Sequence, residues 1–102
     1  MLVFTTLPDQ ESARQLARML VDNHLAACVN VLSPCRSIYF WQGATEEDEE
    51  FPLIIKTHAE HYAALENFIR THHPYELPEI LAVETAQGLP EYIHWVHQTT
   101  HL

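Results

Sequence analysis

The chain has 102 residues, a formal charge of −9 and five cations, Arg14, Arg18, Arg36, Lys56 and Arg70. That length supports one core, so residues 1–102 are read as a single domain burying roughly two-thirds of its unfolded surface. Scattered cations exclude the clustered phosphate contacts of a nucleic-acid binder and disfavour an anionic membrane, and no apolar run approaches the roughly 20 residues of a spanning helix.

Leu2 to Leu7 reads as a strand starting almost at residue 1. Met1 to Thr6 has neither the basic region nor the small-residue cleavage site of a leader, and a cytosolic address is expected. Pro8-Asp9 breaks the strand, with Asp9 as a helix cap. Ala13, Leu16, Ala17 and Leu20 then follow helical spacing, predicting an amphipathic helix to about His24. Ala27 to Leu32 and Ser37 to Trp41 are β-rich, with Pro34 between them as a bend or bulge, and Gln42-Gly43 starts a turn.

The acidic run Glu46-Glu47-Asp48-Glu49-Glu50 is expected to be a solvated connection between long strands. It lacks the spaced oxygens and the glycine of a calcium loop. Phe51 to Thr57 is a strand, with Pro52 suggesting an edge or bulge. A second helix is expected from Ala59 to His73, on the apolar stripe Tyr62, Leu65, Phe68, Ile69 and His72, and Pro74 stops it. A fourth strand is expected over Glu79 to Thr85. Pro90 then fits the first position of a third helix whose stripe is Leu89, Tyr92, Ile93 and Val96.

The order β-α-β-β-α-β plus a terminal helix predicts an α+β, ferredoxin-like sandwich with both main helices on one face of a four-stranded sheet. The other face needs cover, and strands this apolar predict a homo-oligomer. Cys28 and Cys35 form no CxxC pair. An extended segment would hold them roughly 20 Å apart, so both read as free thiols, Cys28 a buried one. No G-x-S-x-G, Walker A or HExxH sequence occurs, and two glycines cannot build a glycine-rich phosphate cradle, so no enzymatic activity is expected.

Chemistry concentrates in His72-His73-Pro74-Tyr75-Glu76-Leu77-Pro78-Glu79, with two imidazoles, a phenol and two carboxylates between a helix and a strand. A helix C-terminus attracts a cation, and Glu76 is close in sequence. Adjacent helical residues point about 100° apart, however, and the stripe places His72 as a packed histidine. His94, His97 and His101 are a rival cluster, spaced to share one helix face, against which stands a frayed and solvated terminus. Trp41, Tyr39 and Tyr75 could line an intersubunit cleft with Lys56 and Glu79, or serve as interface anchors.

Several segments occur in register: Ala26-Ala27-Cys28-Val29-Asn30, Ser37-Ile38-Tyr39-Phe40-Trp41-Gln42-Gly43, Ile54-Ile55-Lys56-Thr57 and His73-Pro74-Tyr75-Glu76-Leu77-Pro78-Glu79. From Thr6-x-Pro8-Asp9 to Tyr92-x-x-Trp95 the chain resembles the CutA divalent-cation tolerance family. The resemblance implies a ferredoxin-like subunit in a homotrimer, similar in architecture to the trimeric nitrogen-regulatory proteins. It also implies divalent-metal binding, Cu(II) first, and an association with tolerance to metal ions. In that family copper is held by the two histidines of the motif, here His72 and His73, and a first-strand cysteine. The cysteine's place falls on Thr5, which has no thiolate to offer. Two other functions stay open: a trimeric small-molecule sensor with clefts between subunits, and a structural or signalling hub.

Overall fold

A computed structural model describes residues 1–101. The strands are β1 (Leu2–Leu7), β2 (Cys28–Val31), β3 (Cys35–Trp41), β4 (Ala44–Lys56) and β5 (Leu81–Val83). The helices are α1 (Gln10–Asp22), α2 (Tyr62–His72) and α3 (Pro90–Thr100), and a 3-10 turn, Ala59–His61, leads into α2. The sheet runs β2-β4-β1-β5 with every pair antiparallel, and β3 pairs with the first half of β4. This is the ferredoxin-like α+β arrangement expected, with a long hairpin added.

Alternation along the strands sets the layers. Val3, Leu7, Leu53 and Ile55 point to one face, where Leu16 and Leu20 of α1 and Leu65 and Ile69 of α2 bury them in one cluster. The helices are amphipathic in the same sense, so burial of their stripes and of one sheet face is a single event. Asp9 caps α1 by accepting the Ser12 N–H at 2.7 Å and its hydroxyl at 3.0 Å. The helix ends at Asp22, two residues short of the expected end, because His24 takes the left-handed φ of 58° that terminates helices.

The acidic run is not a connection. Glu46 to Glu50 lies inside β4, which is 13 residues long. Gln42 (φ 49°) and Gly43 (φ 84°) both have positive φ, the requirement of a two-residue type I′ turn, and they fold β3 back onto β4 with Trp41 opposite Ala44. Cross-strand partners then hold an otherwise strand-averse sequence: Arg36 pairs with Glu47 at 3.0 Å, and the Tyr39 hydroxyl donates to Asp48. Between Val31↔Leu53 and Cys35↔Glu50, β2 and β3 carry three residues (32–34) and β4 carries two (51–52). That extra residue is the bulge expected at Pro34.

Two other elements are shorter than expected. Ala59–His61 forms a 3-10 turn rather than the first turn of α2, and its cap is His58, whose Nδ1 accepts the Glu60 N–H at 3.2 Å. Strand β5 begins at Leu81, not Glu79, because the β1–β5 ladder stops at Phe4↔Leu81 and His73 occupies the next acceptor along that edge. Cys28 and Cys35 are free, as expected, but Cys28 is only half-buried. It lies opposite Lys56 on the face away from the helices.

Candidate metal centre

The junction after α2 is organised by His73. Pro74 excludes helical backbone at the residue before it, and His73 is extended at φ −81°, ψ 137°, its N–H still closing the helix on the Ile69 carbonyl at 2.8 Å. The side chain turns back over β1 and is buried, with 8% of its surface exposed. Nε2 lies 2.7 Å from the Thr6 carbonyl oxygen, and Nδ1 accepts the Tyr75 N–H at 3.0 Å. A carbonyl only accepts and an amide N–H only donates, so the ring is held as the neutral Nε2–H tautomer. Burial moves its pKa below the ordinary histidine value, against the opposing pull of the Thr6 carbonyl and Glu50.

Glu50 completes this junction. Only 8% exposed, it accepts from the Tyr75 hydroxyl at 2.9 Å and from the Thr6 hydroxyl at 3.2 Å. Burial, and then the bond to Glu50, push the Tyr75 phenol well above the ordinary tyrosine value. The hydrogen bond to Asp48 pushes Tyr39 up to about 12. Both phenols therefore keep their protons and act as donors to carboxylates. Glu50 escaped the sequence reading because it ended an acidic run. Counting back from Phe51, which pairs with Leu7, along an unbroken strand would have placed it beside the end of β1.

His72 behaves in the opposite way to His73. It is exposed rather than packed: its ring stacks on Phe68 at 4.1 Å and 25°, and its Nδ1 bonds to the Phe68 carbonyl at 2.9 Å. The two imidazoles therefore leave α2 in different directions, His72 outward and His73 inward. Thr5 is buried on the helix-facing side of β1, and its hydroxyl has no hydrogen-bond partner. Glu76 and Glu79 are exposed.

The cleft group does not assemble within one chain. Trp41 sits at the hairpin turn and Lys56 at the far end of β4, separated by a 13-residue strand, ~44 Å at roughly 3.4 Å per residue. Lys56 lies instead 5.9 Å over the Tyr92 ring. Nor is the C-terminal helix frayed: Val96 and Thr100 are buried, and the Thr100 hydroxyl donates to the Val96 carbonyl at 2.9 Å. His97 and His101 face His58 and His61, while His94 is exposed and stands apart from those ring contacts. Among the described residues, no three His, Cys, Asp or Glu side chains already converge as a metal cage. No described helix is long and apolar enough to cross a membrane.

Fold and junction together define a ferredoxin-like domain with a His-His-Pro-Tyr turn clasped to the end of its first strand. Residues 1–99 match the family model of the CutA1 divalent ion tolerance protein, and the chain belongs to that family. It is 46% identical over 97 residues to mouse Protein CutA, covering 95% of this chain and 55% of that protein. It is 41% identical over 99 residues to the Divalent-cation tolerance protein CutA of Thermus thermophilus, covering 97% and 96%. The chain thus spans about half the length of its mammalian relatives and nearly all of the bacterial one. The solved structure of the Periplasmic divalent cation tolerance protein CutA from Archaeoglobus fulgidus superposes with a TM-score of 0.95 at 34% identity, covering 98% of this chain and 97% of that one.

Proposed function

We propose that this chain is a non-catalytic divalent-cation-binding protein of metal-ion tolerance, working in the cytosol as a homotrimer, with Cu(II) as its first cation. The observation that carries the cation is the posture of His72. Its Nδ1 is held by the Phe68 carbonyl at 2.9 Å and its ring by the Phe68 face, which leaves Nε2 exposed as the available lone pair. A backbone carbonyl on one ring nitrogen is how a metal-ligating histidine is fixed in tautomer and direction.

His73 has the supporting role in this reading, because both of its nitrogens are already bonded. Exposed Glu76 and Glu79 add carboxylate oxygens to the same turn. With Thr5 at the first-strand position the donors are nitrogen and oxygen, a set that favours Cu(II) over Cu(I). Bound there, the cation would be held and not consumed. The trimer draws its support from apolar side chains left outside: Ile38 is 67% and Phe40 73% exposed on one face of the hairpin, and Leu81 and Val83 are exposed on β5. Exposed apolar side chains of this kind mark protein–protein contact.

Electron paramagnetic resonance of the Cu(II)-loaded protein tests the ligand. Nitrogen hyperfine structure in the wild type that weakens in His72→Ala supports the reading. An identical spectrum from the variant removes His72 from the site.

A further inference from the structure

A second group of imidazoles lies outside the His72 junction, built by segments about 40 positions apart in sequence, the separation of His61 and His101. His58 caps the 3-10 turn that leaves β4, and His61 ends it. His97 and His101 are one helical turn apart at the end of α3. The rings interlock, with centroid separations of 4.7 Å for His58–His97, 4.8 Å for His61–His101, 3.9 Å for His97–His101 and 5.8 Å for His58–His101. Glu60 lies among them, its Oε2 3.0 Å from His101 Nε2 and its Oε1 3.8 Å from His58 Nδ1.

The scaffold beneath these side chains is fixed. Thr57, immediately before His58, is buried and bonds the Leu25 carbonyl at 2.7 Å. Thr100, immediately before His101, is 4% exposed and bonds its own helix. Two rigid backbones therefore present two histidines each across a narrow seam. One solvated histidine at such a seam would need no explanation. Four whose rings meet edge-on or tilted, with a single carboxylate in contact, gather imidazole nitrogens in a small volume.

One nitrogen pair already has the spacing of two ligands on one metal ion. Zinc–imidazole bonds of roughly 2.0–2.1 Å with tetrahedral angles put neighbouring ligand nitrogens about 3.3 Å apart. His61 Nε2 and His101 Nδ1 are 3.5 Å apart. The Nδ1 of His58 accepts the Glu60 N–H at 3.2 Å, so the neutral ring carries its proton on Nε2, and binding a metal through either nitrogen means giving up that bond. His97 makes no ring hydrogen bond among the described residues. His101 has the most to give up, since its Nδ1 also lies 2.7 Å from the His97 carbonyl. To donate to a metal, His101 would have to leave that carbonyl and Glu60.

We propose that His58, His61, His97 and His101, with Glu60, form a second cation site on this chain. It would take a divalent transition ion that prefers imidazole, such as Zn(II) or Ni(II), and would reject Mg(II) and Ca(II), which prefer oxygen. The site shares no residue with the His72 junction, so it stands or falls separately from the function proposed above.

Zn(II) titration of the chelator-stripped full chain, followed through the histidine ring signals by nuclear magnetic resonance, is the test. Saturable shifts of His58, His61, His97 and His101, retained in His72→Ala, are expected. Zn(II) affinity of the His61→Ala/His101→Ala variant should fall at least about tenfold, with Mg(II) producing no shifts in the wild type. Shifts confined to His72, or a double variant that folds and binds as the wild type does, would overturn the proposal. Should the double variant fail to fold, the wild-type ring signals still decide the matter.

Discussion

Replacing His73 with alanine should weaken the fold sharply, because its ring supplies a donor and an acceptor that nothing else in the junction offers. The β1–β5 ladder ends at Phe4↔Leu81, so the Thr6 carbonyl on the same edge depends on His73 Nε2 at 2.7 Å. Removing that donor costs about 1–3 kcal/mol if the carbonyl is left unpaired, and losing the Nδ1 bond to the Tyr75 N–H adds about 1 kcal/mol. The junction also carries Tyr75 to Glu50, so loosening it exposes a buried carboxylate contact. A total of about 2–4 kcal/mol, at a urea slope of roughly 1–3 kcal/mol/M, moves the midpoint down by about 0.7 M or more. Urea unfolding of both proteins at equal chain concentration measures this, with concentration held fixed because association would shift the midpoint. A midpoint for His73→Ala within about 0.3 M of the wild type, below the smallest shift this range allows, would refute the clasp.

The same histidine makes the gap between these two proteins depend on pH. Burial lowers the His73 pKa below its ordinary 6.5, so the unfolded chain binds more protons, and the stabilisation is whole above pH 6.5 and lost as pH falls through the folded value. The difference in urea midpoint should therefore narrow on acidification below pH 6.5; a constant or widening gap contradicts the sign. Phe40→Asp puts a charge on the exposed hairpin face and should convert the proposed trimer to single chains of 11.8 kDa in light scattering. A Phe40→Asp trimer would move the interface elsewhere. Gly43→Ala meets no atom within 4 Å but keeps φ at 84°, so it should cost about 1–2 kcal/mol from the backbone alone. Unchanged stability in urea would argue against the type I′ turn.

Much of the fold was legible because local signals and burial agree. The Asp9 cap, the stripe of α1 and the proline between β2 and β3 each fixed an element by a mechanism that needs no distant partner. The acidic half of β4 was not legible, since glutamates read singly as solvated chain. What makes them a strand is Arg36 and Tyr39 on the opposite side of a turn. At the candidate site the orientation of His72 was misread. Helical spacing placed His72 inward, whereas Pro74 pulls His73 out of the helix and swings it under, leaving His72 outside on Phe68. The imidazoles of His58 and His61 drew no attention because their neighbours on α3 are remote in sequence. The last turn of that helix was read as frayed, while burial of Thr100 docks it.

The division of labour between the two histidines is the central claim, and Cu(II) calorimetry on the wild type, His72→Ala and His73→Ala, each paired with its urea midpoint, tests it directly. Loss of one imidazole ligand should weaken Cu(II) binding about tenfold or more in His72→Ala, about 1.4 kcal/mol, with the midpoint unchanged. His73→Ala should show the reverse, a lowered midpoint with Cu(II) affinity kept in the folded protein. Equal loss of affinity in both variants at unchanged stability would make His73 a ligand and contradict this account.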